Sequence, residues 1–165
     1  MENNKISKIE FSDSDKNKLN EFVSYEREAA IYDLISENYF EIIDEKSNGP
    51  FIMNISVEEG ILLIKLKNKD NKDIYQFSSS ISKLKKIFKD YHNACSNYYE
   101  SIKNGSVEKI EGIEKVRRKI HDDGAENLLS ILNKDFNIDK NTSRRLFTLM
   151  SVSYTHLTLP TTPYV

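Results

Sequence analysis

Tryptophan is absent from this chain, cysteine occurs once, proline three times and glycine five times. A single thiol, Cys95, forms no internal disulfide and no multi-cysteine zinc site, so disulfide-stapled and zinc-ribbon classes are excluded. So few prolines and glycines in 165 residues also exclude collagen-like and Gly/Pro-rich low-complexity chains. No apolar run approaches the roughly 18 residues that a membrane helix needs. The first twenty residues are polar, which predicts no signal peptide and no membrane association, and the expected compartment is the cytoplasm. Positive charge is not in excess: 24 lysines and arginines face 26 aspartates and glutamates, a formal net charge of −2. General attraction to nucleic-acid phosphates is therefore not favoured.

What is present is ordinary globular material, with 38% hydrophobic and 30% charged residues. A chain of this length buries about two thirds of its unfolded surface, enough for one core. Among the basic residues arginine is used sparingly. Arg27 stands alone, and the other four form the pairs Arg117-Arg118 and Arg144-Arg145. A planar, permanently charged fork with several donors is not replaceable by lysine, so these positions draw attention first.

Taken in order, Ile6 to Phe11 has the pattern of an edge strand and Ser12 to Asn20 that of a loop. From Ser24 to about Phe40, Ala30, Ile31, Leu34 and Ile35 recur at helical spacing, with Ser24 placed as N-cap. On that helix Arg27 and Asn38 fall inside the apolar stripe, where each needs a buried partner. Gly49-Pro50 punctuates the chain. Phe51, Met53, Ile55 and Val57 then alternate with polar residues as a half-buried strand does. Glu58-Glu59-Gly60 reads as a turn, Ile61 to Lys67 as a second strand, Asn68 to Asp73 as a turn and Ile74 to Ser78 as a third strand. The period then changes: Ile81, Leu84, Phe88, Tyr91, Cys95, Tyr98 and Ile102 describe one face of a long helix ended by Asn104-Gly105. A third helix starts near Ser106 with Ile110, Ile113, Ile120, Leu128 and Ile131 on one stripe. Arg117 and His121 lie on the same side one turn apart, and Gly124 follows where a missing side chain permits close approach. Asp139 caps a last helix carrying Leu146, Leu149 and Met150 inward.

The composition breaks at Val152. The last fourteen residues contain no Asp, Glu, Lys or Arg, and hold four threonines and two of the three prolines. VSYTHLTLPT is the translation of GTC TCT TAT ACA CAT CTG ACG CTG CCG ACG, which resembles a transposase mosaic end joined to a sequencing adapter. The expectation is a single α+β domain over residues 1–151, with the last helix cut near Ser151, and a non-native adapter-derived tail over 152–165.

Several pieces of the body, in order from Glu26 to Leu149, match a family pattern. They are Glu26-Arg27 with Ala30-Ile31, Gly49-Pro50-Phe51, Lys89-Asp90-Tyr91 with Cys95 and Tyr98, Ile110-Glu111 with Arg117-Arg118, His121 and Gly124-Ala125, and Asp139 with Arg144-Arg145-Leu146-Phe147. In these the chain resembles a bacterial family known as uncharacterised protein family 0262. It departs from that pattern at Lys115-Val116, where the family has Met-Gly, and at Asp122-Asp123, where it has Asn-Glu. The resemblance implies no mechanism, because the family has no assigned activity.

Arg117 on an apolar face has two readings. One is a buried pair with a carboxylate such as Glu26, Asp33 or Asp90, which fixes helix packing. The other is an anion pocket of Arg27, Arg117, His121 and Arg145 that takes a phosphate or carboxylate. Arg118, between Glu114 and Asp122 at i−4 and i+4, reads as an exposed ion-pair ladder. His121 as acid or base requires a carboxylate to orient it and an open cleft. His92 and Cys95 at i,i+3 do not make a metal site. No phosphate-cradling glycine loop, nucleophile elbow or dinucleotide fingerprint is present. The expected architecture is α+β: a small antiparallel meander of three or four strands, packed against one N-terminal and three C-terminal helices. The expected function is a non-catalytic cytoplasmic module binding a protein partner or a small anionic ligand through an Arg/His face, with no cofactor and no metal. The alternative is a small enzyme acting on an anionic substrate through His121.

Overall fold

Alternation builds the sheet. β3 (Phe51–Glu58), β4 (Ile61–Lys67) and β5 (Asp73–Ser80) are successive antiparallel neighbours. Their register sets Met53 against Leu66, Ile55 against Ile64 and Val57 against Leu62, every one of them buried. Period two sends the intervening residues to the other face, where Lys65, Gln76 and Ser78 are exposed. The β3–β4 connection has Glu59 at φ 51° and Gly60 at φ 78°, the paired positive values of a type I′ hairpin. The structure, a computed structural model, describes residues 3–12, 21–44 and 49–158. All but Ser12 of the expected Ser12–Asn20 loop lies outside them.

The expected meander is thus present as three strands, but the fourth strand runs the other way. β1 (Ile6–Phe11) joins the free edge of β3 in parallel, giving the order β1-β3-β4-β5 and a mixed sheet. A parallel neighbour needs a long crossover, and α1 (Glu21–Ser36) supplies it. Local apolar spacing carries no information on strand direction. β1 also has a bulge between Ile6 and Lys8, which is why Ile6, Ile9 and Phe11, unevenly spaced, are all buried.

α1 differs from its expected bounds at both ends. It starts at Glu21, so Ser24 sits within its first turns rather than at the N-cap, and it stops at Ser36. Phe40 lies instead in a three-residue strand, β2 (Phe40–Ile42), antiparallel to β6 (Phe136–Ile138). Neither short strand is long enough to show a period. Asn38, past the helix end, accepts from the Ile6 amide at 2.7 Å and donates to the carbonyls of Ile6 and Leu34 at 3.0 Å. It ties the start of β1 to the end of α1.

Three helices follow: α2 (Ser82–Asn104), α3 (Val107–Leu132) and α4 (Lys140–Thr158). Ser106 accepts from the Lys109 amide at 3.2 Å and Asp139 from the Thr142 amide at 2.9 Å, so both expected caps form. α4 continues past Ser151, with Ser153 and Tyr154 buried. Leu34, Leu84, Phe88, Leu128, Leu146, Phe147 and Met150 share one cluster with the buried face of the sheet. Each such side chain contributes about 1.5–3 kcal/mol by leaving water. Among the described residues no helix is long and apolar enough to cross a membrane.

Candidate functional site

α3 is the element that positions the site. Its 3.6-residue period gives Arg117, His121 and Gly124 one side, and α4 packs there because Gly124 leaves room. A Cβ on Gly124 would lie 2.2 Å from the Phe147 ring. His121 is 9% exposed. Its Nε2 is 2.7 Å from Thr148 Oγ1, and its ring lies 5.2 Å from both the Tyr91 and the Phe147 ring. Nδ1 is buried without a hydrogen-bond partner. Burial pushes the His121 pKa down to about 4, and the positive charges of Arg144 and Arg117 act in the same direction.

Arg117 is half-buried and its fork is filled. Nε donates to Glu114 Oε2 at 2.8 Å and Nη2 to Oε1 at 2.5 Å, while Nη1 donates to Tyr91 Oη at 3.1 Å. The Tyr98 ring centroid lies 5.5 Å from the guanidinium carbon. The partner is thus Glu114, one turn back on the same helix, rather than Glu26, Asp33 or Asp90. A glutamate three residues away needs no tertiary placement, which is why it wins. The Arg117 hydrogen bonds hold the Glu114 carboxyl below its ordinary range, and burial pushes the Tyr91 phenol up to about 12 and the Cys95 thiol up as well.

The exposed ladder expected around Arg118 is half-formed. Arg118 Nε is 3.4 Å from Glu114 Oε1, but Asp122 pairs with Arg144 of α4, which holds its carboxyl down. Arg145 donates to the Glu37 carbonyl at 2.9 Å and faces Asp33 at 3.6 Å, joining α4 to the end of α1. Arg27 is 7% exposed, with its guanidinium 4.0 Å from the Phe11 ring centroid and its Nε donating to Ser153 Oγ at 3.0 Å. Of the four candidate anion-binding residues, Arg117 and His121 come together around Tyr91. The partners described for Arg27 and Arg145 lie elsewhere. Among the described residues no group of three or more His, Cys, Asp and Glu side chains is placed to hold a metal ion.

A feature not read from the sequence lies on another side of the α2–α3 hairpin. At 100° per residue Gly112 stands about 180° around α3 from His121, and it opens onto a groove of about 550 Å³ between the two helices. α2 contributes Asp90, Asn93, Ala94 and Asn97; α3 contributes Lys109, Gly112, Ile113, Val116 and Ile120. Steps of three and four place each set in one row. A second hollow of about 340 Å³ carries the groove on to Ser101 and Asn104 near the hairpin turn. A Cβ on Gly112 would meet nothing within 4 Å. Ile113 and Ile120, expected on one stripe with His121, are turned instead toward this groove beside Val116, because at 100° per residue each stands about 80–100° around α3 from His121.

The model of the Uncharacterised protein family (UPF0262) matches residues 3–156 of this chain. The UPF0262 protein of Agrobacterium fabrum is 39% identical over 132 residues, covering 80% of this chain and 83% of the relative. That of Rhizobium etli is likewise 39% identical over 132 residues with the same coverage. That of Brucella anthropi is 35% identical over 130 residues, covering 79% and 81%. No solved structure matches the chain.

Proposed function

Since this chain belongs to the Uncharacterised protein family (UPF0262), a family of unknown function, we propose that it is a non-catalytic module that binds protein through the α2–α3 groove. Gly112 carries this reading. A glycine inside a helix costs roughly 1 kcal/mol relative to alanine, and Gly124 has an internal reason for that cost in Phe147. Gly112 has none, since nothing lies within 4 Å of its missing Cβ. Its effect is to leave the helix backbone open to close approach from outside. Ile113 and Ala94 give the groove apolar walls, and Val116 stands 55% exposed on its edge. This is the form that helix-in-groove recognition uses.

In this reading Arg117 is a strut that ties α3 to α2 and His121 one that holds the hairpin against α4, and binding takes place on the other side. An anion site finds less support, because the Arg117 fork is occupied by Glu114 and Arg145 faces Asp33 and Glu37. Acid–base catalysis finds less support as well: His121 stays neutral down to about pH 4, and it does not line the groove. A cytoplasmic location is part of the proposal and is checked by cell fractionation. Photo-crosslinking in the host cell tests the surface. A photoreactive residue at position 116 is expected to capture protein, and one at Lys65 on the open face of the sheet is not. Absence of any adduct from position 116 overturns the proposal.

A further inference from the structure

We infer that the groove is filled by the same groove of a second copy of this chain, so that two hairpins form a twofold four-helix contact. This rests on the groove reading above and names its partner. Among the described residues the two charged side chains lining the main groove are Asp90 and Lys109. They lie at opposite ends of it, because α2 and α3 run antiparallel through a short turn at Gly105. A twofold axis through the middle brings the Asp90 end of each copy to the Lys109 end of the other, and the complementary pair is made twice.

Shape agrees with charge. Lys109 and Ile120 bound the α3 row, about 16 Å apart at 1.5 Å per residue. Gly112 and Val116 lie on either side of its midpoint. The same axis therefore carries Val116 of each copy toward Gly112 of the other, a projecting side chain over a position with no side chain. That reciprocal fit gives Gly112 the role that the single chain lacks. Two helices side by side, roughly 20 Å wide over about 16 Å, bury an area below the range of stable interfaces, so a weak, concentration-dependent association is expected.

Sedimentation of the full chain over a wide concentration range tests this. The expected mass approaches twice 19.2 kDa at high concentration and falls to the monomer on dilution. Asp90→Lys alone and Lys109→Asp alone should each weaken association about tenfold or more, and the double swap should restore it to within a few-fold. Both side chains are exposed, so an unchanged melting temperature at dilutions where all variants are monomeric will show that the fold is intact. A chain that remains monomeric throughout, or a double swap no stronger than the single ones, overturns the inference. The adduct from position 116 separates the two readings. A band at two chain masses supports the second copy, a different partner mass overturns it while leaving the groove reading in place, and no adduct removes both.

Discussion

His121 Nε2 and Thr148 Oγ1 lie 2.7 Å apart, and the same hydroxyl lies 3.1 Å from the Arg144 carbonyl oxygen. A carbonyl only accepts, so the Thr148 proton is committed to Arg144 and the threonine oxygen accepts from His121 Nε2–H. That fixes the tautomer and leaves the Nδ1 lone pair buried without a donor. Removing the threonine oxygen would strand Nε2–H as well. Thr148→Val should cost about 1–3 kcal/mol in urea unfolding at neutral pH, and a cost within the noise of the measurement would refute the arrangement.

The same histidine makes stability depend on pH. Folded, it takes a proton near pH 4, against an ordinary value of 6.5. Between these values the unfolded chain holds more protons than the folded one, so stability rises with pH. The contribution is fully present above pH 6.5 and is lost progressively on acidification toward about pH 4, by roughly 3 kcal/mol at most. His121→Gln, which keeps an N–H for Thr148 and does not titrate, should flatten that part of the profile. Glu114 and Asp122, whose carboxyls are held low, lose their share only as pH falls further.

Two glycines of one helix should respond to alanine in opposite directions. Gly124→Ala drives a methyl into the Phe147 ring and should cost about 1–3 kcal/mol by overpacking. Phe147→Leu in the same chain should recover part of that loss, because the clash is with the ring. Gly112→Ala meets open space and should raise stability by about 0.5–1 kcal/mol. Paired thermal melts of the single variants decide the matter. Equal signs would mean that the two positions are not distinguished by packing.

These contrasts also show what the sequence could disclose. Met53, Ile55 and Val57 announce β3 because each neighbour in the register is also apolar, so local pattern and tertiary burial agree. Gly124 was legible for the same reason: it follows His121 on a side already marked by apolar residues. The parallel direction of β1 and the β2–β6 pair were not legible, since both depend on which distant strand is met. The anion pocket was read from helix faces alone. Arg117 satisfies its charge three residues away at Glu114, a local competitor that face-by-face reasoning had given to Arg118.

That competition sets a fourth expectation. Glu114→Gln removes the carboxylate from Arg117 and Arg118 together, and should cost about 1 kcal/mol or less, because both ends of the Arg117 pair are partly solvated. Arg118→Ala should change stability by less than about 0.5 kcal/mol, since its side chain is 69% exposed. Arg117→Lys should lose more than Arg118→Ala, because an ammonium cannot bridge both Glu114 oxygens and reach the Tyr91 hydroxyl. Urea midpoints for the three variants in low and high salt separate these terms, and a larger loss for Arg118→Ala would reverse the assignment.

The proposal that residues 152–165 derive from an adapter is tested in the DNA. Tyr154 packs 5.9 Å from the Phe11 ring, and Ser153 accepts from Arg27 Nε at 3.0 Å. The space beside Phe11 and the donor on Arg27 belong to β1 and α1, so they ask the same of any residue that follows Ser151 on α4. Sequencing the genomic locus is expected to give different codons after Ser151, and among the residues they encode a large apolar side chain for Phe11. Finding the present codons in the locus would overturn the adapter origin.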